Sequence, residues 1–190
     1  MFKYICFLHT ETNGLHQTTE NVSKKNLFAY ARLVTLNYEI GYVNNNEYIQ
    51  EKKVRHIIKP RSMYISPETI IYHGITQEMA NEQGIDPEIV INEFKNDLIK
   101  IDIIVSHNVD FHLKTILAES VRYNINLDVS KKIIIDTISF YHKYGPMKLK
   151  DLAQKLGIKN QTDDNKKNIE LIKDTFFKLY KKFKKSVKTS

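Results

Sequence analysis

The sequence predicts an α/β fold, and three observations carry that prediction. Short apolar runs at residues 4–8, 101–105 and 133–135 have the length of buried strands. Stretches between and after them repeat apolar residues at helical spacing. The chain opens with strand-like segments and then alternates strand with helix, which is the order of an α/β domain. Its 190 residues suit one domain with a real core, and no internal repeat or second domain is visible.

The elements follow in order. Residues 4–8 form an apolar strand, with Gly14 marking the turn after it. Residues 33–39 alternate, with Leu33, Thr35 and Asn37 on one side and Val34, Leu36 and Tyr38 on the other. Asn44, Asn45 and Asn46 signal a turn, so residues 48–58 read as the return strand of a hairpin. Pro67 opens a short helix, because proline is tolerated in the first turn. Asp86-Pro87 reads as the cap and first position of another, which carries Ile89, Val90, Phe94 and Leu98 at helical spacing. Residues 101–105 read as a buried strand, followed by a helical face of Leu113, Ile116, Leu117 and Val121. Residues 133–135 read as another buried strand. Leu149, Leu152 and Leu156 make a short helix stopped by Gly157. Residues 159–168 read as a polar loop, and Ile169, Ile172, Phe176, Leu179 and Phe183 form the stripe of a last long helix. The domain is expected over residues 1–183, with a loose basic tail at 184–190.

The single cysteine, Cys6, allows no disulfide within the chain and lies in an apolar run as a buried, inert thiol. No stretch is apolar enough to span a bilayer, and the start lacks a cleavage signal, so a soluble intracellular protein with no membrane partner is expected. The net charge of +7 is uneven: six lysines and no acid fall in residues 176–190. Lys178, Lys181, Lys182 and Lys185 lie near one another at spacings of three and four, a pattern that suits a polyanion such as nucleic acid. A solvated helix end, where lysine complements the helix dipole, fits the same pattern. Abundant Lys, Asn and Ile are what an AT-rich coding genome produces, pointing to a virus or a low-GC organism. If viral, the expected location is host cytoplasm or virion.

The stretch from Phe7 to Leu15, Phe-Leu-His-Thr-Glu-Thr-Asn-Gly-Leu, carries the chemistry. It resembles the opening motif of the DEDDh-type 3′–5′ exonucleases, the DnaQ-like group, in which a strand ends in Asp-x-Glu-Thr-x-Gly-Leu. Here His9 stands at the Asp position, while Glu11, Thr12, Gly14 and Leu15 fit. Further blocks follow in family order: Ile58-Lys59-Pro60, Ile65 to Thr69, His73-Gly74-Ile75-Thr76, Ser106-His107-Asn108-Val109-Asp110-Phe111-His112, Ile135-Asp136-Thr137, and Lys148 to Ile158. The resemblance covers nearly the whole chain. It implies a ribonuclease H-like fold, a five-stranded mixed sheet flanked by helices.

Such exonucleases use two magnesium ions, which stabilise the attacking and leaving oxygens. Magnesium prefers oxygen ligands, so the family supplies four carboxylates plus a histidine base. Carried onto this sequence, the first pair is His9 and Glu11, which share a strand face as positions i and i+2. The second Asp falls at His112. Asp110, two positions earlier on a helix, faces about 160° away and does not substitute for it. Registering the last helix by its apolar stripe puts the third Asp at Asn168 and the family histidine at Asp163. One carboxylate of four is thus retained. In the family the corresponding turn, here Thr12, Asn13 and Gly14, approaches the terminal nucleotide, and these three with His73 and Asn108 are the candidate nucleic-acid contacts. In their own right, His107 and Asn108 read as capping and hydrogen-bonding residues, His73-Gly74 as a turn, and Asp136-Thr137 as a cap or turn.

Three readings stay open. The first is a catalytically inactive exonuclease-like domain that binds nucleic acid, DNA or RNA, or a protein partner, and needs no cofactor. The second is an active enzyme with altered ligands, using magnesium or manganese. A variant has His9, Glu11 and His112 holding a single zinc, manganese or iron ion as a two-His, one-carboxylate set. The third is a structural or assembly protein reusing the fold. All require His9, Glu11, His112 and Asn168 to meet in one cleft.

Overall fold

A computed structural model of the chain describes residues 3–139, 147–158 and 168–188, with backbone alone from residue 182 onward. Strand β1 (Tyr4–Thr12) is followed by β2 (Leu33–Asn44), β3 (Glu47–Ile57), α1 (Pro67–His73), α2 (Gln77–Gln83) and α3 (Pro87–Leu98). Then come β4 (Ile103–Ser106), α4 (Val109–Arg122), β5 (Ile133–Asp136), α5 (Leu149–Lys155) and α6 (Asn168–Lys188). The strands form one sheet in the order β3-β2-β1-β4-β5. β1 pairs antiparallel with β2 and β2 with β3, whereas β1–β4 and β4–β5 are parallel. This is the mixed five-stranded sheet flanked by helices that was expected.

Local chemistry explains the joints. β2 turns into β3 through Asn45 and Asn46, both at positive φ (49° and 67°). A two-residue hairpin turn needs that conformation, and asparagine tolerates it. Pro67 starts α1, and Gly74, at φ 72°, ends it. Asp86 caps α3 by accepting from Glu88 N at 3.0 Å. Gly157, at φ 70°, stops the chain after α5. Helix α2 had no counterpart in the sequence reading, because Ala80 is its only buried residue and no apolar stripe exists to see. Its signal was Thr76, whose hydroxyl accepts from Met79 N at 3.1 Å.

The sheet has a core on each face. Cys6 and Leu8 of β1 pack with Leu36 and Tyr38 of β2 against Val90, Ile91, Phe94 and Ile116 of α3 and α4. Ile5 and Phe7 pack with Val105 against Ile169, Ile172 and Phe176 of α6. One expectation is corrected. β5 is an edge strand rather than a buried one: it pairs with β4 alone among the described strands, leaving Ile133 and Ile134 47% and 40% exposed. The boundary expected at residue 184 falls inside α6, which continues to Lys188. The polar loop, apart from Asn168, lies outside the described residues, and so does Asp163.

Gly41 sits at an irregularity in the β2–β3 register. A Cβ there would lie 2.2 Å from Ile49 O, which is backbone and cannot swing away. Gly41→Ala is expected to cost about 1–3 kcal/mol by overpacking, measured as a lowered urea midpoint. An unchanged midpoint would show that the hairpin can open to accommodate it.

Candidate nucleic-acid cleft

The cleft forms where β1 runs past the end of β4. The parallel register stops at Phe7↔Val105, so the later residues of β1 lose their ladder on that side. Side chains complete it. Ser106 Oγ donates to Leu8 O at 2.6 Å, and Thr10 N–H donates to Nδ1 of His112 at 3.1 Å. Strand alternation then sorts the chemistry. His9 and Glu11 share the face of Ile5 and Phe7, toward α6, and Thr10 turns to α4.

His9 Nε2 lies 2.9 Å from Glu11 Oε1. Asn168, the first residue of α6, places its Nδ2 2.9 Å from the same ring nitrogen and 3.5 Å from Glu11 Oε1. The His9 and His112 rings are 4.8 Å apart. The four residues expected to converge therefore meet in one place. Asp110 points elsewhere: its carboxylate is exposed and pairs with Lys114 at 2.8 Å.

His112 is buried, and its state can be derived. A backbone N–H only donates, so Nδ1, facing Thr10 N, must be the acceptor. Thr10 Oγ1 is 2.8 Å from the same nitrogen. Nε2 then carries the proton and donates to His107 O at 3.2 Å. This is a neutral imidazole with both nitrogens engaged. Burial, and then the neighbouring His9, hold its pKa well below the usual histidine range. Its single lone pair is spent on Thr10, so the two-His, one-carboxylate set is not assembled. Among the described residues, no three His, Cys, Asp or Glu side chains are placed to hold a metal ion.

The neighbouring residues divide by role. Thr12 Oγ1 donates to Gly14 O at 2.6 Å, and Asn13 accepts from Arg32 N at 2.8 Å and donates to Tyr64 O at 3.3 Å. These two side chains hold the turn. Gly14 has no structural reason to be glycine, since an added Cβ would meet nothing within 4 Å. His73 accepts from Ile75 N at 3.0 Å through Nδ1, and its Nε2 is buried in the cleft with no partner. Burial lowers its pKa, opposed by Glu11. His107 donates to Met147 O and pairs with Thr137 Oγ1, each at 2.8 Å, a structural role.

Asn108 corrects an expectation. It sits at φ 66° and makes no side-chain cap bond. Asp136 caps α4 instead, accepting from Asn108 N and Val109 N at 2.9 Å. Strand β5 lies beside β4, so its last residue reaches the helix that β4 feeds.

Sequence reasoning missed the opposite wall, built by Thr35 and Asn37 of β2 and by Lys53 and Arg55 of β3. Beneath it Glu39, entirely buried, accepts from Lys173 Nζ of α6 at 2.6 Å. The signal was present: Thr35, Asn37 and Glu39 put three polar side chains on one face of a central strand. The space within the cleft is about 40 Å³, enough for a few waters. Lys178 and Lys181 are exposed on α6, whereas the side chains of Lys182 and Lys185 lie outside the described residues.

The Exonuclease (RNase_T) family model matches residues 7–186. Among curated proteins, no sequence match is found. The fold is similar to exonuclease I from Methylocaldum szegediense, with TM-score 0.72 and 14% identity over 94% of this chain and 40% of that one. It is also similar to E. coli exonuclease I in complex with a dT13 oligonucleotide (TM-score 0.68, 15% identity, 92% and 40% covered). An ExoI/SSB-Ct complex matches with TM-score 0.69 and 15% identity, covering 96% and 42%. The chain thus spans about two fifths of the length of these structures.

His112, His107, His73 and His16 all have pKa values lowered first by burial. The unfolded chain takes up these protons near the ordinary histidine pKa, and the folded chain does not. Stability should therefore be complete above about pH 6.5 and fall as the pH drops below it, by at most about 1.4 kcal/mol per pH unit for each proton. Urea unfolding across that range should show a shallower slope for His112→Gln than for the parent chain. Identical slopes would contradict the neutral state derived for His112.

Proposed function

Because the chain belongs to the Exonuclease (RNase_T) family, whose ribonuclease H-like fold it has, we propose that it is an inactive, exonuclease-like domain that binds nucleic acid. The observation that carries this reading is the state of His112. At a position where the DEDDh pattern has a metal-binding carboxylate stands a neutral imidazole, locked to Thr10 and His107.

The donor set does not fit two magnesium ions. Of the family's four carboxylate positions, Glu11 alone keeps its charge, and it lies in hydrogen-bonding contact with His9. Asn168 offers a neutral amide, and imidazole is a poor ligand for a hard cation. No cleavage step is therefore derived through metal. Other features favour holding nucleic acid. The turn at Gly14 has open space for a close approach, as the family's nucleotide-contacting turn requires. The buried His73 Nε2 has no protein partner. Lys53 and Arg55 line the facing wall, and Lys178 and Lys181 extend positive charge along α6. E. coli exonuclease I is seen with an oligonucleotide, and by analogy a single strand is the partner proposed here. No described helix is long and apolar enough to cross a membrane.

Two predictions test this. The purified chain should not degrade 3′-labelled DNA or RNA in magnesium. Robust digestion abolished by Glu11→Ala would overturn the inactive reading. Restoring His9→Asp, His112→Asp, Asp163→His and Asn168→Asp together is the complementary experiment, and slow cleavage by that variant would support the residue assignments. Binding should also be largely electrostatic, because lysines release counterions from phosphates. Truncation after Leu179 should weaken it and flatten its salt dependence, measured by fluorescence anisotropy at several salt concentrations. Undiminished binding after truncation would remove the C-terminal lysines from the interface.

A further inference from the structure

We propose that the pocket between the turn after β1 and residues 27–32 is a second nucleotide subsite, taking one unpaired base against Phe28 and its phosphate at Arg32. The inference rests on the nucleic-acid reading above and adds a site outside the cleft.

The pocket has a volume of about 480 Å³ and is lined in part by Asn13, Gly14, Leu15, Phe28, Arg32 and Arg122. That volume lies within the roughly 300–1,000 Å³ usual for small-molecule sites. Phe28 is 84% exposed and Leu15 82%. One exposed apolar side chain is ordinary. Here two line the same pocket as two arginines, the combination that accepts a base on one side and a phosphate on the other. A side chain as exposed as Phe28 contributes little to the core, so a role in packing does not account for it.

The charge is built in. Arg32 Nε and Arg122 Nη1 both donate to Glu119 Oε1, at 2.8 and 2.9 Å, and Glu119 is buried. One carboxylate facing two guanidiniums leaves an excess positive charge at the pocket. Arg32 bonds to Glu119 and Tyr123 through Nε and Nη2. Those bonds do not use Nη1, which makes no bond among the described residues and can offer its two N–H groups to an anion. A phosphate oxygen suits them better than a neutral acceptor does.

The wall is also fixed in advance. Arg122 Nη2 donates to Leu27 O at 2.6 Å and to Tyr30 O at 2.9 Å, pinning the segment to α4. His16 stacks on Phe111 with ring centroids 4.4 Å apart and accepts from Ala31 N at 3.1 Å. A preordered wall lowers the entropic cost of binding. Continuity with the cleft identifies the ligand as a strand rather than a free nucleotide. Glu11 lines the cleft, Asn13 and Gly14 line the pocket, and only Thr12 lies between. A strand held at the cleft crosses the open surface of Gly14 to reach Phe28.

The test is titration of the isotope-labelled full chain with a short oligothymidylate at low salt, following amide shifts, together with affinities of Phe28→Ala and Arg32→Lys at two salt concentrations. Expected are shifts in residues 13–17 and 27–32, and a loss of affinity of roughly fivefold or more for Phe28→Ala. That loss should be the same at both salt concentrations, since stacking is not ionic. Arg32→Lys keeps a cation beside Glu119, so folding is retained while the phosphate fork is lost. It should weaken binding with little change in melting temperature. Shifts confined to the cleft and α6, with Phe28→Ala binding like the parent, overturn the subsite and leave the nucleic-acid reading standing. Absence of binding to both DNA and RNA by the parent chain overturns both.

Discussion

Strand β1 is hydrogen-bonded on both sides, antiparallel to β2 and parallel to β4, and it outruns β4. The first property makes it a central strand, and with helices packed on both faces of the sheet its alternation feeds two cores at once. Ile5 and Phe7 meet α6, and Cys6 and Leu8 meet α3 and α4. The second property leaves backbone groups at the carboxyl end of the strand without a ladder. Buried polar groups must find partners, and the ones available are Ser106 and His112. The notch beyond β4 is thus both a defect that the fold has to repair and the place where the opening motif puts His9 and Glu11. Clefts at the carboxyl ends of strands, where strand order changes direction, are the usual ligand sites of open α/β sheets.

That repair accounts for a histidine at position 112. A carboxylate there would accept bonds from Thr10 but could offer no proton to His107 O. A neutral imidazole does both, and its donor and acceptor sides lie where these two groups wait. The consequence is functional. A ring that completes the backbone pairing of the sheet has its one lone pair engaged, and burial disfavours its charged form. Structural satisfaction and metal binding compete for one lone pair, and in this chain the structural partner holds it.

Two buried carboxylates do comparable work behind the walls of the two recesses. Glu39, on β2, accepts from Lys173 and lies 3.9 Å from Lys53, joining α6 to the sheet beneath the cleft. Glu119, on α4, gathers Arg32, Arg122 and the backbone N–H of Leu33, joining the long β1–β2 connection to the helix layer. Removing one partner of such a group leaves a charge stranded in low dielectric, which costs more than the pair gains. These residues therefore fix geometry more than they add stability, and each holds in place a wall of one of the two recesses.

By itself, the sequence determined the class of the fold, most of its elements and the meeting of His9, Glu11, His112 and Asn168 in one place. Strand and helix periodicities are local, turn residues such as Asn45, Pro67 and Gly157 act on their own backbone, and the ordered motif blocks brought Glu11, His112 and Asn168 into one alignment. The tertiary structure decided what depends on neighbours far along the chain. An apolar run at residues 133–135 reads the same whether it is central or at an edge, and only the strand order exposes Ile133 and Ile134. Asn108 is a reasonable cap by local rules, yet Asp136 takes that role because parallel pairing brings the end of β5 to the start of α4. The polar face of Thr35, Asn37 and Glu39 could be seen, but not that Lys53 and Lys173 converge on it. Nor could the protonation of His112 be read from its neighbours in sequence. It follows from a backbone N–H a hundred and two residues away, and such a constraint exists only once the chain has folded.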